Sequence, residues 1–378
     1  MNQKTEKIAP LWVAGFMSGT SIDAVDAAMI LTDGVEVYEF GPVAERKYTA
    51  SERVVLQDAV AQARDWNWHG PVPDYSAACA ALNIAHIEAW DKLLREGAGP
   101  RPALAGVHGQ TVLHRAPQNG QLGETRQILD ALALQARLGI PLAYDFRTPD
   151  MRAGGQGAPL APAYHRALLH KSGFENSAIV NLGGVSNITF LGKEGRLYAF
   201  DTGPANGPID EWVEAHGLGS YDRGGALASR GRVHEGLLVQ LLDAPYFDQK
   251  PPKSLDRYDF NANLVRGLSP ADGAATLVAL CAHSLARSLE HAPRQPDQLI
   301  LCGGGRHNPA LVRAIEEALP CSVILAEEAA WRGDSLEAEA FAYLAMRSVR
   351  GLSLSFPETT GARGEIAPAP ILGRFPPK

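Results

Sequence analysis

The chain has 378 residues, 46% hydrophobic and 20% charged, enough apolar surface to offset chain entropy, which excludes general disorder and at roughly 100 to 200 residues per domain calls for two domains. With 35 Lys and Arg against 42 Asp and Glu and a net charge of -7, it lacks the basic footprint of a nucleic-acid or anionic-membrane partner. Cys79, Cys281, Cys302 and Cys321 are spaced for neither a zinc or redox motif nor a disulfide framework, and the early apolar run is too short for export or a membrane span, so a cytoplasmic protein is expected.

In chain order, residues 11–16 read as a buried strand, 17–23 as a turn of small hydroxyl and glycine residues, and 27–31 as a second strand; Asp33-Gly34 then turns the chain into a strand at 35–40. A helix at 76–95, a strand at 104–107, a helix at 128–138 and a strand at 142–144 follow. The opening pattern then returns: strand 178–182, the Gly183-Gly184 turn, strand 187–191, a turn at 192–195 and strand 197–200. Helices are expected at 207–216, 237–242, 273–290, 309–319 and 335–350, with strands at 299–302 and 323–325. Each half is a meander followed by alternating helices and strands. That order predicts α/β architecture: two domains, 1–160 and 161–378, each a mixed sheet flanked by helices, with the C-terminal helix able to return to the first and a ligand in the cleft between them.

Three turns carry chemistry. In Ser18-Gly19-Thr20-Ser21-Ile22-Asp23, glycine permits a sharp bend and successive amides and hydroxyls can converge on a phosphate; Asp23 and Asp26 fit beside one only with a cation between, and the alternative is a plain β-turn. In Asp201-Thr202-Gly203-Pro204 a strand delivers a carboxylate into a turn, where it either orients a nucleophile or metal-bound water or caps the next helix. Gly303-Gly304-Gly305, between strand and helix, offers flat backbone to a base or ribose, but neither G-x-G-x-x-G nor a phosphate loop is present. His108, Gln110, Thr111, Gln127, Asp130, Asp145, Arg147 and Gln156 gather at strand ends and suit a hydroxylated ligand such as a sugar; His108 is equally readable as a structural histidine, Arg147 as a surface salt bridge and Asp145 as a turn residue. Glu337 is either an exposed-face glutamate or a carboxylate presented by a helix start.

Taken in order, residues 18–23, the HGQT loop, DFR, GGQGAPL, NLGG, DTGP and the CGGG segment with Asn308 closely resemble the anhydro-N-acetylmuramic acid kinases, over residues 11–361. The resemblance implies two actin-like (ribonuclease H-like) domains of the actin, hexokinase and heat-shock ATPase superfamily, with nucleotide in the interdomain cleft. It implies ATP and Mg2+ as cofactors and 1,6-anhydro-N-acetylmuramic acid as substrate, converted with water to N-acetylmuramic acid 6-phosphate during cell-wall recycling. Neither nucleic acid nor membrane is a partner, and a homodimer is compatible with it. Asp201 would be the base and Glu337 would position sugar or water. The nucleotide would be handled by Ser18, Gly19, Thr20, Ser21, Ile22, Asp23, Ala24, Val25 and Asp26 together with Gly183, Gly184, Gly203, Gly303, Gly304, Gly305 and Asn308. Asp23 and Asp201 would hold metal, and His108, Gln110, Asp130, Asp145, Arg147 and Gln156 would bind sugar.

Ala24, Ala205 and Leu129 stand where that family has glycine, which questions turn geometry before chemistry, and SLDRYDF follows Pro251-Pro252-Lys253 in place of STGREYF. Two other classes are weighed: a nucleotide-driven switch or filament module, against which the polar HGQT, DFR and GGQG set argues, and a hydrolase using Ser18 or His108, for which no G-x-S-x-G elbow exists.

Overall fold

The computed structural model describes residues 9–96, 101–118, 120–192, 195–255, 259–363 and 366–375. Positions 193–194 of the expected 192–195 turn, and 256–258 of the SLDRYDF segment, lie outside the described residues. The chain divides into two compact units, Met1–Lys171 with Glu337–Lys378, and Ser172–Leu336. The first change of unit thus follows residue 171, where 160 was expected, and the last stretch of the chain goes with the first unit.

In unit 1, β1 (Leu11–Ser18), β2 (Ala24–Thr32) and β3 (Val37–Lys47) form the antiparallel meander. Residues 13–16 of β1 are all buried, as a strand covered on both faces requires. The β2–β3 turn is fixed by Asp33, whose Oδ1 accepts from the amides of Val35 and Glu36, each at 2.8 Å. Next come α1 (Ala50–Trp66), opened by a Thr49/Glu52 capping box, and α2 (Ser76–Glu96). β4 (Leu104–Val107), wholly buried, runs parallel to β1. β5 (Gln110–Arg115) and β6 (Glu124–Ile128) make a separate hairpin, followed by α3 (Ala131–Leu138), β7 (Leu142–Tyr144), α4 (Arg147–Arg152) and α5 (Pro162–Ser172).

Unit 2 opens with β8 (Ser177–Leu182), β9 (Val185–Leu191) and β10 (Leu197–Pro204) and continues through α6 (Asn206–Ala215), α7 (Glu235–Leu242), α8 (Pro245–Asp248) and α9 (Pro270–Ser288). β11 (Gln298–Cys302), α10 (Pro309–Ala318) and β12 (Ser322–Leu325) complete it. The chain then returns through α11 (Leu336–Val349), α12 (Pro357–Thr360) and β13 (Ile371–Leu372), which pairs with β7.

The two sheets are built alike. Their strand orders are β13-β7-β4-β1-β2-β3 and β10-β9-β8-β11-β12: an antiparallel meander whose first strand pairs in parallel with a fourth, and that with a fifth. This is the actin-like, ribonuclease H-like order, with two α/β units of mixed sheets flanked by helices. In unit 1, α11 lies directly on β1 and β4 because glycines make room: a Cβ on Gly15 would stand 1.9 Å from Ala338 O, and one on Gly106 2.1 Å from Phe341 O.

Several elements were illegible. α1 buries only Leu56, Ala59 and Ala63 fully and shows no strong apolar stripe. The residues read as the start of a helix at 128 instead end β6 and cap α3, where Asp130 accepts from Ala133 N at 3.0 Å. α4 and α5 are not among the helices the sequence predicts.

Candidate active site

The β1–β2 turn of unit 1 is clamped from beneath. Ser18, 1% exposed, donates to Gln110 Oε1 at 2.6 Å and pairs with Tyr48 OH at 2.8 Å, while Gln110 Nε2 donates to Gly19 O at 3.2 Å. Gln110 is 0% exposed, and both ends of its amide help to shape this turn. Burial raises the Tyr48 phenol far above its ordinary range, keeping it a neutral hydroxyl.

The bend itself differs from expectation. Gly19 is not among the positive-φ residues; Ile22 is, at φ 55, a conformation that a β-branched residue adopts only when its surroundings impose it. Burial of Ile22 at 4% exposure within the unit's core supplies the anchor. A Cβ on Gly19 would meet only Ser21 Oγ, at 3.6 Å. Thr20, Ser21 and Asp23 are exposed, and Asp23 faces Arg53 at 3.6 Å. Ala24, Val25 and Asp26 belong to β2, with Val25 in the core. None of Ala24, Leu129 and Ala205 has positive φ, so none of these three positions takes the left-handed conformation that favours glycine.

A second cluster in unit 1 joins His108 and Arg147. His108, 2% exposed, donates from Nδ1 to Gly109 O at 2.7 Å and accepts from Arg147 Nε at 2.9 Å through Nε2. Burial, reinforced by the Arg147 charge, pushes its pKa well below the ordinary value, so the ring stays neutral and can accept. Arg147 Nη1 also donates to Gly157 O at 2.7 Å; DFR, HGQT and GGQG thus meet at one guanidinium. Asp145 holds φ 51 and accepts from Thr148 Oγ1 at 2.6 Å, and burial raises its pKa. Asp130 is the exposed α3 cap, and Gln156 donates its amide N–H to Thr360 O at 2.8 Å.

In unit 2 the parallel neighbours β8 and β11 end side by side, bringing Gly183-Gly184, the start of α6 and residues 303–305 together. Gly183 O accepts from Asn206 N at 2.9 Å, and Gly184 O from Ala205 N and Gly207 N, each at 3.1 Å. Gly303 has φ +76, and a Cβ there would lie 2.2 Å from Asn181 Oδ1. Asn308 caps α10, accepting from Ala310 N and Leu311 N at 3.1 and 3.2 Å, and Gly203 makes room for α9, where a Cβ would lie 2.4 Å from Ser284 Oγ. Both of these nucleotide candidates thus have structural duties. Arg306, which the motif reading passed over, pins the glycine loop: its side chain is 1% exposed and bonds Gly303 O at 2.8 Å, Asp334 Oδ1 at 2.7 Å and Glu327 Oε1 at 2.7 Å.

Asp201 lies within β10, which runs on to Pro204 where the strand was expected to end at residue 200 and turn; it pairs with Asn187 just before a register shift, and its Oδ2 accepts from Leu255 N at 2.8 Å. Glu337 stands exposed in the first turn of α11, two residues before buried Glu339, which accepts from Tyr164 OH. Among the described residues no three His, Cys, Asp or Glu side chains gather as a metal cage. Mg2+ does not need one: it takes one or two carboxylates and completes its shell with phosphate and water oxygens, and Asp23 and Asp201 are donors of that kind. Among the same residues no helix is long and apolar enough to cross a membrane.

The model of the family described as anhydro-N-acetylmuramic acid kinase matches residues 11–374. A protein of that name from Rhizobium rhizogenes is 50% identical over 370 residues, covering 96% of this chain and 98% of its own. Another, from Caulobacter vibrioides, is 49% identical, covering 96% and 97%. Among solved structures, component A of the (R)-2-hydroxyglutaryl-CoA dehydratase of Acidaminococcus fermentans aligns over 89% of this chain and 98% of its own at 10% identity, with a TM-score of 0.46.

Proposed function

Because the chain belongs to the anhydro-N-acetylmuramic acid kinase family, we propose that it transfers the γ-phosphoryl group of ATP to O6 of 1,6-anhydro-N-acetylmuramic acid while water opens the anhydro bridge. The products are N-acetylmuramic acid 6-phosphate and ADP, and the physiological setting is recycling of cell-wall sugars in the cytoplasm.

The observation that carries this reading is Asp201: a carboxylate of β10 beside the strand's register shift, oriented through Oδ2 by a main-chain amide. It takes a proton from water as the water oxygen bonds to C1. The C1–O6 bond breaks with its electron pair going to O6, and O6 bonds to the γ-phosphorus as the bond to the leaving ADP oxygen breaks. Glu337 positions water or sugar. The exposed Thr20 and Ser21 of unit 1 and the main chain of Gly183, Gly184 and residues 303–305 of unit 2 handle nucleotide. Neutral His108 holds Arg147 toward the sugar, with Asp145 beside it in sequence. Asp23 and Asp201 would hold Mg2+, which when bound neutralises phosphate charge.

Product made in 18O-labelled water and weighed by mass spectrometry tests the reaction. Label at the anomeric hydroxyl and none in the phosphate is expected; label in phosphate, or ADP release that ignores the sugar, would overturn it.

A further inference from the structure

β10 is an edge strand of the unit 2 sheet, and an edge strand leaves main-chain groups in need of partners. At Asp201 those groups are taken up by one non-strand segment. Asp201 N donates to Lys253 O at 3.1 Å, Asp201 O accepts from Tyr246 OH at 2.6 Å, and the carboxylate accepts from Leu255 N at 2.8 Å. Residues 246–255 therefore grip the amide, the carbonyl and the side chain of a single residue. Neighbouring Thr202, 1% exposed, is fixed separately through Ser186 O at 3.2 Å.

The segment has its own footing. Lys253, 5% exposed, donates to Tyr246 O at 3.1 Å and Phe247 O at 3.3 Å, and its ammonium lies 4.6 Å from the centre of the Tyr246 ring. Its site is dry enough that burial lowers the amine to about 8. Phe247 and Phe260 pack with Leu238, Ala279 and Leu280 in an apolar cluster separate from the main core of the unit, with Tyr246 and Leu255 against it. Tyr246 thus makes two unrelated contacts: its ring with this cluster, its hydroxyl with Asp201.

We propose that residues 246–255 are a strap that fixes Asp201, and that Tyr246 and Lys253 are positioning residues acting on turnover through it. This rests on the reading of Asp201 as the base. A displacement of about 1 Å at a reacting group costs up to 10²-fold in rate without weakening ligand binding, which sets the expected signature.

Tyr246→Phe removes the hydroxyl and keeps the ring. The expected result is a fall in kcat of about tenfold with KM for ATP and sugar within about twofold, together with faster hydrogen exchange at the Asp201 and Leu255 amides. Lys253→Met should lower kcat about threefold and Lys253→Arg should restore it, since the two carbonyl contacts need a cationic donor. Unchanged kcat in both Tyr246→Phe and Lys253→Met, a change confined to KM, or unaltered exchange at the two amides would overturn the strap. Full turnover in Asp201→Asn would instead overturn the reading of the base, while the exchange measurement, which needs no catalysis, still decides whether the strap holds Asp201.

Discussion

The first hairpin turns of the two units occupy the same place in the same sheet order but are held by different means. In unit 2 the turn at Gly183-Gly184 is braced mostly by main chain: its two carbonyls take amides at the start of α6, and the Asn206 side chain adds one bond to Leu182 O at 3.4 Å. In unit 1 the turn is longer, rests on the buried side chains of Ser18, Gln110 and Tyr48, and passes through a positive-φ isoleucine. The contrast teaches that a repeated topology repeats positions without repeating chemistry. The unit 2 turn depends little on side chains because main-chain bonds carry most of it, whereas that of unit 1 exposes hydroxyls and a carboxylate whose placement depends on remote residues.

The largest expected effect tests whether unit 2 supplies the chemistry. Asp201→Asn keeps size and loses the base, and turnover in a coupled ADP assay should fall 10²- to 10⁴-fold with nucleotide binding retained; near-normal turnover would move the base elsewhere, Glu337 first.

Acid should separate the units next. Burial depresses the pKa of three histidines of unit 1: His86 to about 4, His165 to about 3, and His108 well below its ordinary value. An unfolded histidine titrates near 6.5, so the stability tied to their neutral forms is complete above that pH and is lost as pH falls toward the folded values, at up to about 1.4 kcal/mol per pH unit for each. In unit 2, His291 is lowered but only half-buried. Hydrogen exchange at pH 5 against pH 7 should therefore show unit 1 loosening first; equal loosening would remove this difference.

The smallest effects come from glycines. Gly303→Ala, with φ +76 and a Cβ 2.2 Å from Asn181 Oδ1, should cost about 2 to 4 kcal/mol by thermal or denaturant unfolding. Gly19→Ala meets only Ser21 Oγ at 3.6 Å, so stability should change by less than about 0.5 kcal/mol while KM for ATP rises. A stability loss in Gly19→Ala would show that this glycine, too, serves the fold.

Strands buried on both faces announced themselves, and β4 and β7 fall at the residues their apolar runs marked. α1 did not, because a surface helix with few buried positions carries little periodic signal. The motif reading found Asp201 but passed over its strap: Tyr246 and Lys253 have no local pattern, and their significance lies in hydrogen bonds spanning some fifty residues. Likewise Arg306 follows the glycine run directly, yet nothing nearby identifies its partners Glu327 and Asp334.

By itself the amino-acid order determined the two meanders, the alternation of helix and strand, the family and the residues delivered to strand ends, since these depend on local periodicity and short motifs. Tertiary structure alone decided that α11 packs on β1 and β4, that Gln110 and Asn308 are occupied within the protein, that Ile22 takes the positive-φ bend, and which remote groups orient Asp201 and Arg147. The physical reason is the range of the interactions: backbone preference and burial pattern act over a few neighbours, whereas hydrogen-bond partners and close approach are settled only when distant segments fold together.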